Sequence, residues 1–238
     1  FSVIDGETAF IGGMNALGTD CDTDEHLIFE PRRMDFESSP SERLDVQNRE
    51  SEPDFRPRKD YFTRVRGPIV ADAADIFAER WDLLISENVR YSENATPAAR
   101  PSDIPAAGDL YAQVTVTQPE PFWDHSIAET WFNAVAQAEE YIFIEDQYFR
   151  VPMLVDAILA RMEEVPELQL IVITQPINEL TDPGCEWTYR STEEITDRFF
   201  DRFSLYQLRS FDVTDDGFGL DETQSYFANH SVHSKMFI

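Results

Sequence analysis

The sequence is short of lysine: Lys59 and Lys235 are the only two in 238 residues, and the other 17 of the 19 basic side chains are arginines. Cysteine is equally scarce. Cys21 and Cys185 have no metal-ligand spacing, which excludes a zinc ribbon and a disulfide scaffold; the pair stands open as free or bridged. No run approaches the roughly 18 apolar residues of a membrane-spanning helix, and the longest candidate is Leu168 to Ile173. Positive charge is in short supply throughout, with 46 acidic against 19 basic groups and a net charge of −27. A general basic surface for polyanions is therefore excluded and no nucleic-acid partner is expected. Any anionic group must be held by a few local cations.

What is present is enough for a core. Hydrophobic residues at 42% and aromatics at 13% argue against disorder despite the charge. The length allows one large domain or two modest ones. An acidic surface with almost no lysine fits a protein that works in high salt, where at about 1 M the Debye length is roughly 3 Å and self-repulsion is screened. An ordinary acidic protein is the plainer alternative.

Phe1 to Ile4 and Ala9 to Ile11 read as short strands around Asp5-Gly6-Glu7-Thr8, and Gly18 to Arg58 reads as a long surface loop. Tyr61 to Arg66 alternates as a strand. Ile69, Ala73, Ile76, Phe77, Trp81, Leu84 and Ile85 recur at helical spacing over 69–86. The stretch 91–107, rich in Ala, Pro and Ser, is the linker candidate, and Leu110 to Thr117 alternates as a strand. Ser126 with Glu129 makes a capping box for a second helix. A strand at Tyr141 to Ile144, a helix near 151–164 opening on Pro152, and a strand at Leu168 to Thr174 buried on both faces follow. Ser191 with Glu194 caps another helix, and Leu208 to Val213 and Val232 to Ile238 are the last strands. The alternation predicts a layered α/β fold.

The chemistry concentrates near the C-terminal end. In Val232-His233-Ser234-Lys235-Met236-Phe237-Ile238, a strand would project His233 and Lys235 to the same side. A histidine beside a fixed cation suits attack on a phosphate ester, the lysine neutralising phosphoryl oxygens and the imidazole acting as nucleophile or general acid. A surface pair arising by chance is the alternative. Near the other end, Phe10-Ile11-Gly12-Gly13-Met14-Asn15 places glycines, which permit close approach of backbone to a ligand, before an Asn able to donate to an anion. A plain hairpin is the alternative there.

Together these residues resemble the phospholipase D superfamily, whose two His-x-Lys-x4-Asp motifs are each followed, six residues on, by Gly-Gly or Gly-Ser and x-Asn. Six residues separate Asp5 from Gly12-Gly13-Met14-Asn15, and His233-x-Lys235 looks like the opening of a second copy. The first His-x-Lys would fall just before Phe1 and the second Asp two residues past Ile238, so the chain reads as a fragment cut inside both motifs. Asp60-Tyr-Phe-Thr-Arg-Val-Arg-Gly67-Pro68 and Tyr141-Ile-Phe-Ile-Glu145-Asp146-Gln147-Tyr148-Phe149 also resemble segments of that family.

The resemblance implies an α/β fold of two similar halves, each a mixed sheet flanked by helices, with the active site at a pseudo-twofold interface. The halves would be represented by residues 1–95 and 108–238, joined by a linker at 96–107. It implies hydrolysis or head-group transfer on phospholipids through a phosphohistidine, with no cofactor and no metal. His233 would serve as acid and base, Lys235 would clamp the phosphate and Asp5 would support the first motif. Asn15 and Gly13 would bind phosphate, and Glu145 and Gln147 would shape the site wall. Phospholipid at a membrane surface would be the partner, with no transmembrane segment in this chain and a monomeric full-length protein. The setting would be the cytoplasmic face of a membrane or the outside of the cell. Cardiolipin or phosphatidylserine synthesis by the same chemistry, and a non-catalytic lipid-binding role, are the alternatives.

Because a charge of −27 repels anionic lipid at low salt, interfacial activity is expected to rise with ionic strength. A titration of activity against NaCl checks this, and a fall in activity as salt is raised contradicts it.

Overall fold

The computed structural model describes residues 1–15, 20, 22–28, 33, 57–89, 96–176, 184–215 and 223–238. It is mixed α/β, with four helices and several small sheets among the described residues. In chain order these are β1 (Ser2–Ile4), β2 (Thr8–Gly12), β3 (Arg58–Lys59), β4 (Phe62–Arg66), α1 (Ile69–Ser86), α2 (Ser126–Gln137) and β5 (Tyr141–Asp146). Then come α3 (Pro152–Glu164), β6 (Gln169–Ile173), α4 (Cys185–Phe199), β7 (Phe203–Tyr206), β8 (Arg209–Asp215), β9 (Thr223–Asn229), β10 (Ser231–Val232) and β11 (Lys235–Phe237). The chain divides into two compact units, residues 1–13 with 61–127, and residues 14–60 with 128–238.

The first unit is an antiparallel sheet in the order β1-β2-β4 with α1 packed on it. Asp5 and Gly6, both at positive φ, form the turn between β1 and β2, where Glu7 N–H donates to the Ile4 carbonyl at 3.0 Å. A Cβ on Gly12 would lie 2.7 Å from the Tyr61 carbonyl and 2.8 Å from the Phe62 ring. The glycine expected to admit a ligand therefore makes room for the neighbouring strand. The helix at 69–86 forms as the spacing predicts, but its buried face is Val70, Ala73, Ala74 and Ala78, whose small side chains let it approach the sheet closely. Phe77 and Trp81 stack beside that face, 5.8 Å apart.

The expected linker does not hang free. Trp81 Nε1 donates to the Thr96 carbonyl at 2.8 Å, and the Asp82 carboxylate accepts from Ala98 N–H at 3.2 Å and Arg100 at 2.9 Å. Residues 96–107 thus belong to the first unit, and residues 90–95 lie outside the described part. The Leu110 to Thr117 strand does not form: the segment has no sheet partner among the described residues, and Leu110 and Tyr111 are almost wholly exposed.

The second unit is built on a four-stranded sheet in the order β11-β5-β6-β7, in which β5, β6 and β7 run parallel and β11 is antiparallel to β5. Parallel neighbours need crossovers, and α3 and α4 supply them. On α3, Leu154, Val155, Ile158, Leu159 and Met162 recur on one helical face and meet Ile142, Ile144, Leu170 and Val172 from the sheet. The β6 strand is buried on one face and only partly covered on the other, with Gln169 exposed, so burial on both faces is not observed.

Three local readings change. Ser126 opens α2, but its hydroxyl bridges the Val116 backbone and the Asp124 carboxylate accepts the Ser126 N–H at 2.8 Å. That hydrogen bonding holds the Asp124 carboxyl below its ordinary range. Ser191 sits buried in mid-α4, because the helix begins six residues earlier, after Gly184. Most of the 18–58 loop lies outside the described residues, yet Asp20, Ile28 and Arg33 are buried, which a surface loop would not give. Cys185 carries a free thiol, and Cys21 is outside the described residues. Among the described residues no helix is long and apolar enough to cross a membrane.

Leu170 is fully buried at the centre of the second unit's sheet. Leu170→Ala is expected to cost about 3 kcal/mol through lost transfer energy and the cavity left behind, read from the urea midpoint. A loss below about 1 kcal/mol would place the core elsewhere.

Candidate functional site

The expected strand from Val232 to Ile238 is broken in two. Residues Ser231–Val232 pair in parallel with Arg58–Lys59, while Lys235–Phe237 pair antiparallel with Ile144–Asp146. The chain therefore changes sheets at His233-Ser234. Side-chain alternation runs through the break, with Val232 and Ser234 fully buried and Ser231, His233 and Lys235 on the more open side.

The parallel pairing positions the histidine. His233 N–H donates to the Lys59 carbonyl at 2.9 Å, which sets His233 beside the residue that follows, Asp60. His233 Nδ1 lies 2.9 Å from Asp60 Oδ2; the Asp60 side chain is 3% exposed and the His233 side chain 20%. A carboxylate can only accept, so Nδ1 is the donor in this pair and Nε2 is left to exchange a proton. This is how an acid orients an imidazole and stabilises it once it is charged.

Glu145, on β5, holds the two strand segments together. It is 1% exposed, and its Oε1 accepts from Ser234 Oγ at 2.6 Å while its Oε2 accepts from Lys59 Nζ at 2.7 Å. A buried carboxylate is tolerated only when paired and hydrogen-bonded, and Glu145 has both kinds of partner. Its contacts tie three chain segments.

Lys235 stands opposite Asp146 in the register and reaches the Gln147 amide oxygen at 3.4 Å and the His233 carbonyl at 2.5 Å. Burial pushes the Asp146 carboxyl above its ordinary range, against the opposing pull of Lys235 and Arg150. A cleft lined by Trp131, Asp146, Tyr148, Arg150 and Lys235 opens next to this strand, with the Arg150 guanidinium 3.8 Å from the centre of the Tyr148 ring. The arrangement offers an oriented imidazole at His233 and, in the adjoining partly aromatic cleft, the cations Lys235 and Arg150, a set that can meet an anionic group.

The expected site residues divide. His233, Lys235, Glu145 and Gln147 come together in the second unit. Asp5 is an exposed turn residue and Gly13 is also exposed, and both belong to the first unit. Asn15 is exposed and has no side-chain hydrogen bond to another described residue. Sequence reasoning missed the roles of Asp60, Lys59 and Ser234. Lysine scarcity was the available signal for Lys59, since both lysines of the chain stand in this one site.

No protein-family model matches the chain, and no curated protein matches it.

Replacing Glu145 with Ala leaves the Lys59 ammonium and the Ser234 hydroxyl without this acceptor. The loss is expected to be about 2 kcal/mol, moderated by the partial exposure of Lys59. Chemical denaturation measures it; an unmoved midpoint would mean that Glu145 does not join these segments.

Proposed function

We propose that the chain carries part of a phospholipase D-type phosphodiesterase that hydrolyses phospholipid head groups or transfers them to an alcohol. The single observation carrying this reading is the His233–Asp60 pair, oriented through Nδ1 and two residues from the exposed cation of Lys235. In the proposed reaction the histidine of a first motif attacks phosphorus, forming a phosphorus–nitrogen bond as the phosphorus–oxygen bond to the leaving alcohol breaks. His233 protonates that alcohol and then takes a proton from water or an acceptor alcohol, whose oxygen displaces the first histidine. Asp60 holds the imidazole in the orientation that presents Nε2 and stabilises the charged imidazolium that enters the first step and is regenerated in the second. Lys235 offsets the charge that develops on the phosphoryl oxygens, with Arg150 as a second cation in the adjoining cleft. The architecture of two similar halves around a pseudo-twofold site, and operation at a lipid surface in high salt, belong to the same proposal.

The test is an assay of phosphatidylcholine vesicles, with and without ethanol, using the polypeptide that contains residues 1–238 and its flanking sequence. Asp60→Asn is expected to lower kcat by about 10²-fold or more with little change in KM, and His233→Ala is expected to abolish both hydrolysis and phosphatidylethanol formation. Turnover that survives His233→Ala overturns the proposal.

A further inference from the structure

Three residues before His233, a second cluster of ligand-type side chains involves no residue of the phosphodiester site. Asp22, His26 and His230 each present one donor atom, and the three atoms lie within 4.8 Å of one another. His26 Nδ1 is 2.8 Å from Asp22 Oδ2, and His230 Nε2 is 3.7 Å from the same oxygen. A tetrahedral ion with bonds of 2.0–2.1 Å sets its ligands about 3.3 Å apart, and these two separations bracket that value.

His230 supplies the independent sign of a missing partner. Its side chain is 6% exposed, yet Nε2 makes no hydrogen bond to a described residue. Nδ1 lies 3.3 Å from Ser210 Oγ, so a proton on Nδ1 leaves the Nε2 lone pair directed toward Asp22 and His26. A buried nitrogen with no partner is costly unless something occupies its lone pair.

The surroundings fit a metal ligand set. Arg33, fully buried, donates to Asp22 Oδ1 at 3.1 Å, which fixes the carboxylate and leaves Oδ2 for an ion. His26 is half exposed, so a fourth position is open to water. Two imidazoles and one carboxylate favour a first-row divalent ion such as zinc over magnesium or calcium, which prefer all-oxygen shells.

We propose that Asp22, His26 and His230 bind a divalent transition-metal ion, with zinc as the best fit, and that the ion fastens the segment at residues 22–28 to the chain just before His233. The role is structural. The ion replaces the proton between His26 Nδ1 and Asp22 Oδ2 and gives His230 Nε2 its partner.

The full chain, stripped with chelator, is titrated with Zn2+ by calorimetry and with Co2+ by visible absorption. Wild-type protein is expected to bind one ion per chain, to show the intense visible band of tetrahedral cobalt, and to gain thermal stability with zinc. Because His26 is exposed, His26→Ala should fold normally by circular dichroism, bind at least about tenfold more weakly and lose the cobalt band. His125→Ala, at an exposed histidine outside the cluster, should match the wild type. Equal binding by wild type and His26→Ala, or no binding by either, overturns the proposal.

Discussion

The second unit depends on one buried carboxylate. Glu145 leaves water at the end of a central-sheet strand and recovers the cost through Lys59 and Ser234, which come from β3 and from the gap between β10 and β11. A hydrophobic residue there would pack but would not specify which segments meet. Through these partners Glu145 joins the large sheet to the two-stranded β3–β10 pair, and the chain passes between the two at His233-Ser234.

That crossing explains how an ordinary strand becomes a site. A continuous strand would commit the backbone of His233 and Ser234 to one sheet. Changing sheets buries Ser234 against Glu145 and turns His233 toward Asp60, which follows directly on the strand paired with β10. Lys235 opens the next strand opposite Asp146, beside a cleft that also contains Arg150. Few cations are available in a chain of this charge, and both lysines stand here: Lys59 pairs with the buried Glu145, and Lys235 is exposed.

The same end of the chain carries a second organised group. The strand that leads to His233 begins just after His230, whose buried ring faces Asp22 and His26. A segment that reads as acidic surface loop therefore contributes buried residues, Ile28 against Ala228 and Arg33 against Asp22 and backbone carbonyls. No periodicity marks Ile28, because its buried partner Ala228 is 200 positions away.

Local spacing by itself determined the helices at 69–86 and 152–164, the start of α2, and most strands, since helical and strand periods follow from backbone geometry over a few residues. It also singled out His233 and Lys235, because two residues on one short segment keep a relation that folding does not alter. It failed where partners decide: Leu110 to Thr117 has strand alternation but no neighbouring strand, Ser191 looks like a cap inside a longer helix, and Gly12 spares space for Phe62 rather than a ligand. Only the tertiary structure brought Asp60 to His233 across 173 positions, and Glu145 to Ser234 and Lys59 across 89 and 86. Orientation of an imidazole and burial of a charge are properties of contacts between distant segments, and a sequence read in order contains the residues but not their distances.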